Sequence, residues 1–451
     1  MRVETPNFFP CSRHPLICNL ALWFFASVAL AQSGPRIQLS HSTESLRGVS
    51  AVSRQVAWAS GTHGTYLRTI DGGMTWTTAQ VADATALDFR AVVAFSADEA
   101  FLMSAGPGEQ SRIYYTPDAG QHWMLQFTNK NPKGFFDSMA FWDPKHGVVL
   151  GDPIPDENGK LKFELLETED GVTWHQIPSS QLPEAMEGEG SFAASNSCIA
   201  ILSEAWKSTE MWNSAEPSSG KTSKNGTEWK SGAGSKNGAE SNNGAEWKSG
   251  ALAPRQPAEN EGALAPADSN LWFATGGKAA RVFHSPDRGK TWQVFDTPIL
   301  HGPESAGIFS IAFRDPLHGI IAGGDYKRPR DDGPNLAFTS DGGKTWTLSE
   351  IKPQAYFSAV AYDRKVNEAA QRQQAEEEAA RARGKKLRAQ PTIPERVFIV
   401  GQDFVFDFRP PNNPRRIGGK KKQGYAFNAI SPYSEGGALA VGPKGTIAFL
   451  P

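Results

Sequence analysis

Cysteine is nearly absent: the 451-residue chain has three, Cys11, Cys18 and Cys198. Two of them fall in an N-terminal stretch that reads as a removable signal, so the remainder has no internal disulfide and must be held together by core burial alone. Net charge is missing too. With 46 basic and 48 acidic side chains the balance is −2, and bulk charge of that size points to no nucleic-acid partner. Also lacking are a phosphate-cradling glycine loop, a paired-cysteine zinc spacing and a nucleophile elbow, so no cofactor and no metal is implied.

One apolar run stands near the start, Leu16 to Ala31. Arg2 and Arg13 precede it and Ala29-Leu30-Ala31 ends it, the pattern of a secretory signal cleaved near Ala31. The expected location is therefore periplasmic or extracellular. The run is short for a spanning helix, so membrane contact is expected only through a partner or an uncleaved signal.

What is plentiful is one octet. Thr339-Ser340-Asp341-Gly342-Gly343-Lys344-Thr345-Trp346 has related copies ending at Trp76, Trp123, Trp174 and Trp292. Each suits a hairpin between antiparallel strands: an aspartate to accept hydrogen bonds from the turn, a glycine for positive φ, then Thr-Trp opening the next strand with a ring large enough to fill a seam. Counting back from each tryptophan assigns the acidic position to Asp71, Asp118, Glu169, Asp287 and Asp341. The tryptophans follow one another at 47, 51, 118 and 54 residues, and β-type units with a period of about 50 residues indicate propeller blades.

The pattern Ser/Thr-x-Asp-x-Gly-x-Thr-Trp resembles the Asp-box, or BNR repeat, of the sialidase-like superfamily. The nearer likeness is to the photosystem II stability/assembly factor family, and it implies an all-β fold, a single seven-bladed β-propeller over residues 36–451 with Asp-box hairpin turns. That likeness also implies a role in assembling or stabilising a protein complex.

Seven strand quartets are legible, beginning at Leu46, Phe89, Phe136, Phe192, Phe309, Phe357 and Phe427. The last has no fourth strand of its own, and Arg36 to His41 is expected to supply it and close the ring. The sixth octet is expected to have degenerated within Arg409 to Lys422. Two insertions interrupt the repeats: a Gly/Ser/Asn-rich stretch at 203–269 with duplicated words, expected to be disordered, and a Glu/Ala/Gln/Arg-rich stretch at 366–394, expected to be an exposed charged helix. His146 and His318, each in Asp-Pro-x-His-Gly, read as turn residues.

The end of the propeller opposite the octets is the expected ligand mouth. Aligned first strands put Arg47, Arg90, Asp137, Ala193, Ser310, Ser358 and Asn428 around it. Loops add Asp152, Asp156 and Glu157 from one blade and Asp325, Tyr326, Lys327, Arg328, Arg330, Asp331 and Asp332 from another, while Lys420, Lys421 and Lys422 enter ahead of the seventh. The Asp152–Gly159 stretch reads as a polar hairpin and misses the calcium-loop pattern. Arg47 and Arg90 could hold a carboxylate or phosphate of a protein partner, or pair internally with Asp137 and Asp152. A glycoside hydrolase would need two carboxyls, and Asp137 with Asp152 or Asp325 is the candidate pair. No Phe-Arg-Ile-Pro segment accompanies them, so the sequence favours a monomeric, non-catalytic binding platform.

Overall fold

A computed structural model describes residues 34–202, 269–350, 355–383, 395–402, 404–409, 415–416 and 425–451, within one unit, Gly34–Pro451. The expected signal, nearly all of 203–269, most of 409–422 and the three lysines lie outside the described residues.

Seven antiparallel sheets form among the described residues, one per blade. Their first strands are Leu46–Ala51, Asp88–Ala94, Phe136–Phe141, Ile199–Ile201, Ala306–Phe313, Phe357–Tyr362 and Ala429–Pro432. In the seventh blade, Arg36–Gln38 lies against Ile447–Leu450, Ile37 opposite Ala448, so the N-terminus closes the ring. Burial falls outward across a blade. The second strand Ala100–Ala105 is wholly buried, whereas the fourth strand Thr77–Gln80 is largely exposed. The hydrophobic core is consequently divided among the seams, each cluster joining two neighbouring blades. Leu46 and Leu67 pack with Leu439 and Val441, and Trp272 with Ile308 and Trp346.

The octet turns work through two hydrogen-bonding centres. Thr339 Oγ1 donates to Asp341 Oδ1 at 2.8 Å and accepts from Gly343 N–H at 3.0 Å. The Asp341 carboxylate in turn takes Thr345 N–H at 2.9 Å and Thr345 Oγ1–H at 2.6 Å. Gly343 has φ 92°, which L side chains rarely adopt. The third turn corrects the sequence alignment. Asp170, not Glu169, accepts from Val172 and Thr173 N–H at 2.8 and 2.7 Å, and Thr168 supplies the hydroxyl. This turn is one residue shorter than the others, so counting back from Trp174 landed one place early. Two of the tryptophans bond across seams: Trp76 Nε1 donates to Gln38 Oε1 of the seventh blade and Trp174 Nε1 to Gln126 Oε1 of the second.

Between the two strands Phe357–Tyr362 and Val397–Gly401, a helix, α1, runs from Arg364 to Ala382. Its composition favours helix, and Asp363 caps it by accepting from Val366 N–H. Its first two turns are fastened to the propeller through buried Asn367, which donates to Arg396 O, and through Gln371, which donates to Arg314 O. His146 and His318 each meet the aspartate three residues earlier, at 2.8 and 2.9 Å, as turn residues do.

Candidate functional site

Each octet threonine or serine pairs, through the second strand, with the last residue of the first strand: Thr116 with Ala100, and Ala100 with Ala94. The opposite end of the first strands is therefore the end away from the octets, and there the backbone carries a bulge. The pairing slips at Arg47, Arg90, Asp137, Phe309 and Ser358. A bulge re-aims the extra residue, so these positions form a ring, completed by register with Ser197 and Asn428.

Two of the expected ring members are thus displaced. Ala193 lies in the loop before a later-starting first strand, and Ser310 is one residue past the bulge, where its Oγ receives Ser197 Oγ–H at 2.8 Å and Val360 N–H at 2.9 Å. Phe309 takes the ring position instead. Counting back four residues from the strand end opposite the octet would have found both Ser197 and Phe309; aligning on the nearest aromatic did not.

On one side the mouth is charged. Arg90 Nε donates to Asp88 Oδ2 and its Nη1 to Ala193 O, both at 2.7 Å. Its anion is thus a neighbour on its own strand, and the expected pairing with Asp137 or Asp152 is replaced. Arg47, half-buried, makes no hydrogen bond or ion pair among the described residues, and its Nε is sealed from water without a partner. Burial, and then the like charge of Arg90, lower its affinity for its proton.

Asp137 is 1% exposed, with Oδ2 unpartnered. Burial first, and then the neighbouring Asp152, push its carboxyl well above the usual range. Burial also raises Asp152, to about 6, although Ser191 N–H donates to it at 3.1 Å, and it raises Glu164, which accepts from Asn129 at 2.8 Å. Three carboxyls on this side thus hold their protons more tightly than carboxyls in water do.

That has a pH consequence. Between 3.8, the ordinary aspartate value, and about 6, the folded protein holds a proton on Asp152 that the unfolded chain has released. The contribution of Asp152 to stability then falls as pH rises through that window. With Asp152 half-buried, Asp152→Asn is expected to recover about 1–2 kcal/mol at pH 7 and nothing at pH 3.5, read as the urea midpoint against pH. The octet aspartates Asp71, Asp118 and Asp170 are lowered to about 2 by their turn hydrogen bonds, so their opposite effect falls below this window. An unchanged gap at the two pH values would remove Asp152 as the cause.

On the other side the mouth is aromatic. Phe192 stacks on Phe309 with centroids 3.9 Å apart, and Tyr356 and Tyr326 meet Phe309 edge-on at 4.7 and 6.2 Å. Gly276 and Gly307 pass beneath Phe192 where a β-carbon on either would overlap its ring. The loop carrying Phe192 is anchored by buried Glu189, which takes Arg281 Nε–H at 2.9 Å and Thr275 Oγ1–H at 2.6 Å. Asp325, 4% exposed, is paired with Arg328 at 2.9 Å. Although burial opposes it, hydrogen bonds from Ser305 and Arg328 hold Asp325 below the ordinary value. Tyr326, Arg328 and Arg330 are exposed, and Arg328 also lies 3.5 Å from Asp331. Asp156 closes a polar hairpin by accepting from Asn158 and Lys160 N–H. Sequence reasoning named neither Asp88, Glu164, Tyr356 nor Phe309 as part of this end.

Fold and ring together define a seven-bladed propeller with a half-charged, half-aromatic mouth. Among solved structures the chain is similar to YCF48 bound to D1 peptide, at 14% identity and a TM-score of 0.52 over 93% of this chain and 96% of that one. YCF48 from Cyanidioschyzon merolae also aligns, at 14% identity and 0.48 over 92% and 98%. So does a catalytically inactive virginiamycin B lyase from Staphylococcus aureus, at 10% and 0.49 over 92% and 98%. No family model matches the sequence, and no curated protein does. Among the described residues, no helix is long and apolar enough to cross a membrane.

Proposed function

We propose that this chain is an exported, non-catalytic, monomeric propeller whose mouth takes an anionic segment of a protein partner. The observation that carries this reading is Arg47. It stands on the ring with a guanidinium that makes no hydrogen bond or ion pair among the described residues, while its neighbour Arg90 is held by Asp88 and Ala193. A half-desolvated guanidinium offers a carboxylate or phosphate a stronger bond than one free in water. YCF48, whose fold the chain shares, takes a peptide in its solved complex, which makes a peptide the natural class of ligand here. The hydrolase reading has less support: Asp137 is sealed from any substrate and Asp325 is spoken for by Arg328.

The test is a pull-down with the tagged chain starting at Gln32, against the envelope fraction of its own cells, with Arg47→Glu alongside. Partners recovered by the native chain and lost by Arg47→Glu, at equal melting temperature, are the expected result. Identical recoveries, or none, would overturn the proposal.

A further inference from the structure

Of the seven ring positions, six hold polar or charged side chains and one holds Phe309. That exception is built up, not tolerated. Phe192 reaches it from the loop before the fourth blade, over two glycines whose missing β-carbons make room for its ring. Tyr326 rests edge-on against Phe309 and yet is 47% exposed. Its loop is locked by its own hydrogen bonds: Tyr326 N–H donates to Ser305 O at 3.2 Å, and Lys327 N–H to Asp325 Oδ1 at 2.9 Å. An exposed aromatic ring already held in place loses little freedom when a second ring or alkyl group packs on it. Tyr356, next to the first strand of the sixth blade, meets Phe309 edge-on at 4.7 Å and extends the shelf toward that blade.

We infer that the mouth recognises a peptide in which a carboxylate side chain adjoins an aromatic one, the carboxylate on Arg47 and the ring on the Tyr326–Phe309–Phe192 shelf. This rests on the mouth being the binding end, as proposed above. Charge would attract the segment and the shelf would select it, because a cation alone accepts any acidic sequence. An aromatic pair contributes enough beyond its buried area to raise affinity about tenfold.

Labelled hexapeptides with amidated C-termini separate the two ideas by fluorescence polarisation: Gly-Gly-Asp-Phe-Gly-Gly, its Asp-Ala form, its Asn-Phe form and its Asn-Ala form. The native protein is expected to bind Asp-Phe about tenfold tighter than Asp-Ala. Tyr326→Ala, an exposed site whose loss leaves the core intact, should abolish the preference for Phe while keeping that for Asp. Arg47→Gln should do the reverse. Equal binding of Asp-Phe and Asp-Ala, or a Phe preference that survives Tyr326→Ala, overturns the shelf while leaving the basic mouth standing. No preference for Asp over Asn, or no binding at all, overturns both.

Discussion

Replacing Trp346 with alanine is expected to cost about 3–5 kcal/mol of folding free energy. The indole is 9% exposed, donates from Nε1 to Gly343 O at 2.9 Å and meets Phe313 edge-on at 6.2 Å. It belongs to the cluster that joins the fourth blade to the fifth through Trp272, Ile308 and Ile321. Truncation would leave a cavity at that seam, and the rigid sheets on either side leave little room to collapse into it. Met74, in the equivalent turn of the first blade but 81% exposed, supplies the control. Met74→Ala should stay within about 0.5 kcal/mol of the native protein. If urea unfolding gave Trp346→Ala and Met74→Ala the same midpoint, the seam would not be where this fold keeps its stability.

Asp363→Ala is expected to be about as costly, for an electrostatic reason. The carboxylate is 1% exposed, and its Oδ2 accepts from both Arg396 Nη1 at 3.0 Å and Gly437 N–H at 3.1 Å. Its Oδ1 caps helix α1 at Val366 N–H, 3.1 Å away. Arg396 also pairs with Asp407 and donates to Pro451 O, so one buried charge network ties the sixth blade, the helix and the C-terminus together. Removing Asp363 takes from the largely buried Arg396 one of its two carboxylates and leaves buried Gly437 N–H without its acceptor, at about 3–5 kcal/mol. The far-ultraviolet helical signal should fall with the unfolding midpoint, whereas Asp363→Asn, which can still cap, should retain the helix and lose less. A midpoint unmoved in Asp363→Ala would mean that Arg396 and Asp407 suffice alone.

How far the fold was legible depended on whether the governing interactions were local. An octet turn closes within eight residues, so its hydrogen bonds follow from the order of Thr, Asp, Gly and Thr, and the spacing of its tryptophans counts blades. The N-terminal closing strand could be inferred because the seventh blade visibly lacks a partner for Ile447–Leu450. The slip at Glu169 shows the limit of the same method: a one-residue deletion inside a turn is invisible when copies are aligned on their ends, and only hydrogen bonds identify Asp170 as the acceptor.

The mouth was legible in part. Arg47, Arg90 and Asp137 fall at the bulges of blades that share one register, but Ala193 and Ser310 do not, because the loop before Ile199–Ile201 and the bulge at Phe309 shift the count. The charge pairing could not be read at all. Arg90 finds Asp88 instead of Asp137, since residues two apart in a strand face the same side and a short-range partner comes ahead of a distant one.

By itself, then, the sequence determined that this chain is built of repeated four-stranded units with turn-closing aspartates and seam-filling tryptophans, because those choices answer to neighbours a few residues away. Only the tertiary structure decided which arginine is left without an ion pair and which aromatic joins the ring. Those outcomes depend on blades meeting around a common axis, where residues far apart in the chain compete for the same partners.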